Sequence, residues 1–163
     1  MYPLPNLKLK TIENSEKRFL VWDIVRRHYV VLTPEEWVRQ HCIHYLIEQN
    51  HYPKNKIAVE LRIRIGGLNK RCDIVVFDGS MKPFLLVECK SPYVPLSQET
   101  LNQAARYNLS LDVPNFLISN GLNHFCCRIN HTEQRFDLLE NLPLWAWKSG
   151  LVKQKRASTN QLK

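Results

Sequence analysis

Between Arg71 and Lys90 the sequence reads RCDIVVFDGSMKPFLLVECK, and its charged residues are spaced so that they could do chemistry. Glu88 and Lys90 stand two apart in a segment of strand character, so their side chains leave the same face of a sheet. Asp73 opens the preceding apolar run, and a hairpin would bring it beside both. Two carboxylates supply the hard oxygen donors that suit Mg²⁺, an ion that keeps several of its waters. An ammonium beside such a site would orient or help deprotonate one of those waters near a scissile phosphate. Alone, Glu-x-Lys is a common tripeptide, and a same-face surface ion pair is the plainer account of it. Its place in the chain changes the weighing. The charges follow directly on Phe84-Leu85-Leu86-Val87, where a buried strand surfaces, and a lone charge there is costly unless paired or metal-bound.

Elements able to position these residues are legible on either side. The run from Phe19 to Val31 is rich in β-branched and aromatic residues and predicts an early strand. Thr33-Pro34-Glu35-Glu36 is a strong helix start, with Thr33 as N-cap and Glu36 at the capping-box position. That helix should run to about Gln49, ahead of Tyr52-Pro53. Ile57 to Ile65 alternates as a strand, and Gly66-Gly67 marks a hairpin loop reaching Lys70. Asp73 to Asp78 and Phe84 to Lys90 follow as strands, the latter apolar enough to be central. A second helix is predicted over Leu96 to Leu111, with Ser97 as N-cap. Two more strands, Phe116 to Ser119 and His124 to Ile129, join through Asn120-Gly121. The order fits an α/β fold, a mixed central sheet with helices on its faces.

This arrangement resembles the PD-(D/E)xK nuclease superfamily, whose restriction-endonuclease-like fold carries an acid at the start of one strand and (D/E)xK on the next. Asp73 matches the first acid and Glu88-Cys89-Lys90 the tripeptide, while Cys72 stands where a proline is usual. In the second helix Gln103 and Tyr107 are four apart in QAARY, hence on one face. That QxxxY element, with VECKSPYVPLSQETLNQAARYN and ISNGLNHF, is similar to the N-terminal nuclease domain of type I restriction enzyme R subunits. The resemblance implies a DNA endonuclease using Mg²⁺ or Mn²⁺. Asp73 and Glu88 would hold the metal, and Lys90 would position or activate the water. Glu36, on the first helix, matches a glutamate that supplies a further metal or water ligand in many members, with Glu35 as its neighbour and rival. Gln103 and Tyr107 would support the phosphate side. A separate motor or specificity subunit would be the expected partner, and no GxxxxGK[ST] occurs for an ATP site.

The 163 residues carry 23 Lys+Arg against 15 Asp+Glu, a net charge of +8 that favours a polyanionic partner such as DNA. Arg62 and Arg64 share a strand face with Arg71 following, and they are candidates for phosphate contacts that position DNA without reading it. A solvated strand face accounts for them equally well. His41 and His44 lack a third ligand in register and read as structural. Five cysteines without CxxC spacing read as reduced, packed thiols, and LWAW as a patch that closes the core. One domain is expected over 1–150, with 151–163 a loose basic tail. No segment suggests a signal peptide or a membrane span, so a soluble cytoplasmic protein is expected. The alternative function is a non-catalytic DNA-binding or assembly module retaining the nuclease fold.

Overall fold

The computed structural model describes residues 8–65, 67–109 and 113–145. Three antiparallel strands come first: β1 (Thr11–Glu13), β2 (Phe19–Asp23) and β3 (His28–Val31). The single early strand expected between Phe19 and Val31 is thus a hairpin. Its turn is closed by Asp23, whose Oδ1 accepts the amides of Val25 and Arg26 at 2.7 Å each, and by Arg27 at φ 60. Short carboxylates make such turns readily, and apolar content alone hides them.

Thr33 caps α1 (Pro34–His44), its Oγ1 accepting the Glu36 amide at 3.0 Å. The last turn, Tyr45–Gln49, winds as a π-helix and reaches the predicted end. The capping box is only half made. The amide of Thr33 donates to the Val31 carbonyl at 3.0 Å, and the Glu36 carboxylate turns inward to other partners.

Six strands then form the main sheet in chain order: β4 (Ile57–Ile65), β5 (Leu68–Phe77), β6 (Pro83–Cys89), β7 (Asn115–Ser119), β8 (His124–Asn130) and β9 (Arg135–Leu139). Among the described residues only β6 and β7 pair in parallel, and α2 (Gln98–Leu109) makes the crossover between them. The result is a mixed, restriction-endonuclease-like sheet with a helix on each face. Strand β5 begins earlier than expected, because Leu68 already pairs with Ile65, and Gly67 before it adopts φ 81. Strand β9 is an unexpected addition. Its RFDLL carries charges at an edge, where alternation is a weak signal.

Packing fixes β6 in the middle. Leu85 and Val87 face Val38, Cys42, Ile43 and Leu46, while Leu86 faces Leu101, Phe116 and Ile118 on the other side. Each such side chain taken fully out of water contributes roughly 1.5–3 kcal/mol, which anchors the strand that carries Glu88. All five cysteines are buried thiols outside any disulfide. Burial pushes the Cys126 and Cys127 thiols up to about 12 and about 11. Trp145 closes the α1 side, donating to the Phe77 carbonyl at 3.0 Å, and Tyr52 donates to the Pro143 carbonyl. Trp147 and 151–163 lie outside the described residues. Among the described residues no helix is long and apolar enough to cross a membrane.

One backbone irregularity bears on the site. Val59 and Ile74, opposite each other, pack on the α1 side, whereas Leu61 and Cys72, the next opposed pair recorded, pack on the α2 side. Residues two apart on a strand ordinarily share a face. The pleat therefore reverses between those pairs, at Glu60 and Asp73, and Glu60 adopts φ 53 there.

Candidate active site

The pairing of β5 with β6 runs to Ile74 opposite Val87, so Asp73 and Glu88 are the next positions along two neighbouring strands. Asp73 Oδ2 accepts the Cys89 amide at 2.7 Å, which ties the first acid to the middle of the Glu88-Cys89-Lys90 tripeptide. Lys90 Nζ donates to Glu88 Oε1 at 3.1 Å, and the Lys90 amide donates to the Ser119 carbonyl at 2.8 Å, holding this segment against β7. The pair is near solvent, with side chains 36% and 28% exposed. Partial burial pulls the Lys90 ammonium down, but the hydrogen bond and charge of Glu88, with the charges of Asp73 and Glu35, hold it above its ordinary value. Lys90 is therefore a cation at neutral pH.

Behind this pair lies a network that pattern reading of the sequence did not find. Arg39, 6% exposed, reaches Asp73 Oδ1 at 3.0 Å and Glu35 Oε1 at 2.9 Å with Nη2, and Glu36 Oε2 with Nη1. Burial acts to lower its pKa, but the charges of Glu36 and Asp73 prevail and raise it. Glu36 Oε1 accepts from Arg26 Nη2 at 2.5 Å and from Gln40 Nε2 at 2.8 Å. Arg26 also bonds Asp23 Oδ2 at 2.6 Å and Glu60 Oε2 at 2.8 Å. Glu60 Oε1 takes Arg71 at 2.5 Å. Part of this was legible. Arg39 and Gln40 follow Glu36 at the spacings that meet on a helix. The roles of Asp23, Arg26 and Glu60 depend on pairings between distant segments.

The predicted site residues therefore divide. Asp73, Glu88 and Lys90 come together at one end of β5 and β6. Glu36 lies in the arginine network, its two oxygens taken by Arg26, Gln40 and Arg39. Among the described residues no three of His, Cys, Asp and Glu stand together as a group that could hold a metal ion. Gln103 is exposed on α2, and the side chain of Tyr107 lies outside the described residues. Arg62 and Arg64 are exposed, and Arg71 is exposed but held by Glu60. His41 donates to the Trp37 carbonyl at 2.8 Å and stacks on that ring, and burial lowers its pKa, which suits a packing role.

The family model for the type I restriction enzyme R protein N terminus matches residues 34–143. The chain belongs to that family. The match to this R protein N-terminal family begins with α1, ends beyond β9, and so contains Glu36, Asp73, Glu88, Lys90 and Gln103. A solved fragment of a putative HsdR subunit of a type I restriction enzyme from Vibrio vulnificus YJ016 is similar at 21% identity and a TM-score of 0.40, covering 60% of this chain and 21% of that one. The chain thus spans about a fifth of the length of that structure. No curated protein matches the chain.

Proposed function

We propose that this R protein N-terminal domain is a divalent-metal-dependent DNA endonuclease of the PD-(D/E)xK type. The observation that carries the reading is the 2.7 Å hydrogen bond from the Cys89 amide to Asp73 Oδ2, which fastens the first acid to the Glu-x-Lys strand. The donor set fits a hard ion. Each Asp73 oxygen accepts a hydrogen bond, yet an ionised carboxylate keeps further lone pairs, and Asp73 with Glu88 makes the two carboxylates that Mg²⁺ or Mn²⁺ takes beside its waters. When bound, such an ion would neutralise charge on the phosphate and lower the pKa of a water.

The chain's own residues do the remaining work. Lys90, whose ammonium stands 3.1 Å from Glu88 Oε1, positions or activates the water near the phosphate. Glu36 assists at one remove: it holds Arg39, which holds Asp73. Gln103 and Tyr107 donate to phosphate oxygens from α2, and Arg62, Arg64 and Arg71 meet the DNA backbone. A separate motor or specificity subunit is the natural partner for a domain of this family.

A second reading has one observation in its favour. The Arg39 guanidinium already neutralises Asp73 Oδ1 at 3.0 Å, as it would in a non-catalytic DNA-binding or assembly module. Calorimetric titration of Mn²⁺ separates the two. Nuclease chemistry predicts binding by the wild type, weakened strongly in Asp73→Asn and favoured as pH rises, because ligands shed protons on binding. No binding at millimolar Mn²⁺ would favour the module.

A further inference from the structure

Past Asp73 the β4–β5 pair leaves the rest of the sheet. The recorded pairs of β6 with β5 lie between Ile74 and Phe77, so the outer part of the hairpin is a two-stranded ribbon. Its opposed pairs are Arg62 with Arg71, Ile63 with Lys70, Arg64 with Asn69, and Ile65 with Leu68. Opposed residues share a face, which puts Arg62, Arg64, Asn69 and Arg71 together on one side. All four are exposed, and no described side chain is paired with Arg62 or Arg64.

The reversed pleat at Glu60 and Asp73 decides which way this row faces. Because Leu61 and Cys72 pack on the α2 side, the arginine row lies on the α1 side. Arg71 bonds Glu60 there, and Glu60 bonds Arg26. Asp73 meets Arg39 of α1 on the same side. With a regular pleat the arginines would project from the opposite face. A non-glycine residue at positive φ is sparsely populated, and here the conformation aims a cationic row alongside the candidate site.

We propose that this ribbon docks in the major groove of DNA to one side of the scissile phosphate, with Arg62 and Arg64 on the backbone. The major groove admits a two-stranded β-ribbon. From Asp73 to the tip at Leu68 the ribbon reaches roughly 17 Å at ~3.4 Å per residue. That corresponds to about five base pairs of duplex. The inference rests on the nuclease reading for the position of the cut, but the DNA contact can be tested without cleavage.

The test is fluorescence anisotropy of the full chain with a labelled duplex across a salt series. The double variant Arg62→Ala/Arg64→Ala should bind at least about tenfold more weakly near physiological salt, with a log–log salt slope shallower by about 2. Lys54→Ala/Lys82→Ala removes the same charge at the other end of β4 and β5 and should match the wild type. Arg62→Lys/Arg64→Lys should restore the slope, which excludes misfolding as the cause. Equal affinity and slope for the wild type and the Arg62/Arg64 double alanine would overturn the ribbon, even if the protein cuts DNA. Ribbon-dependent binding without cleavage in Mg²⁺ or Mn²⁺ would instead leave the ribbon standing and remove the nuclease reading. A wild type that binds no duplex at low salt removes both.

Discussion

Two ion pairs carry nearly the same chemistry in opposite surroundings. Glu36 and Arg39 have side chains 6% exposed each; Glu36 Oε1 also bonds Arg26 and Gln40, Arg39 Nη2 also bonds Glu35 and Asp73, and Arg39 Nε is buried without a hydrogen-bond partner. Glu88 and Lys90 lie at the open end of β6, about a third exposed, with Lys90 Nζ 3.1 Å from Glu88 Oε1. Inside, each charge has been taken from water, and removing one partner strands the other. Outside, water and salt screen the pair, and holding it costs side-chain entropy, so its net contribution to stability is small. The difference teaches a division of labour. The buried pair holds α1 to β5 through Asp73, and the open pair keeps its carboxylate and ammonium accessible to a ligand.

The sharpest way to break this comparison is Arg39→Ala. It takes the partner from buried Glu36 Oε2 and frees Asp73 Oδ1, and it should cost about 3–5 kcal/mol in denaturant unfolding. A loss below about 1 kcal/mol, the range of exposed pairs, would erase the distinction between the two sites.

Asp23 sharpens the comparison through pH. Burial pushes its carboxyl up, but bonds from the Arg26 amide, the Arg26 guanidinium and Gln40 outweigh burial and hold it below the ordinary value. A folded-state pKa below the unfolded one contributes stability that is fully present above the unfolded value, about 3.9, and is lost as pH falls through the lowered folded value. Stability of the wild type should therefore fall below about pH 4, and Asp23→Asn should flatten that limb while costing roughly 1.5–3 kcal/mol at neutral pH. Matching acid limbs in the two proteins would show that the Asp23 cluster does not govern the loss.

The smallest expected effect is at the open pair. Glu88→Gln and Lys90→Ala should each change unfolding free energy by no more than about 1 kcal/mol, and less at high salt. A larger cost for either would mean that the open pair is also part of the scaffold.

How much of this was readable follows the range of the interactions. The helix start at Thr33, the central strand around Leu85 to Val87, and the adjacency of Asp73 to the Glu-x-Lys strand depend on local pattern and one hairpin. The turn at Asp23 was missed because an apolar run masked a side-chain-closed turn. Strand β9 was missed because its charges break the alternation. Arg39 stood at the right spacing from Glu35 and Glu36, but its bond to Asp73 is tertiary. The reversed pleat at Glu60 had no sequence signal, since no glycine marks the positive φ.

The central claim is that Asp73, Glu88 and Lys90 cut DNA with a bound divalent ion, and nicking of supercoiled plasmid tests it most directly. Purified wild type should convert supercoiled to open-circular DNA in Mg²⁺ or Mn²⁺ and stop when the metal is chelated. Lys90→Ala, matched to the wild type in unfolding and in duplex binding, should nick about 10²–10³-fold more slowly, the scale of losing one preorganised donor at a reacting phosphate. A wild type that binds the plasmid but leaves it supercoiled in both metals, or a Lys90→Ala protein that nicks at the wild-type rate, would contradict the account.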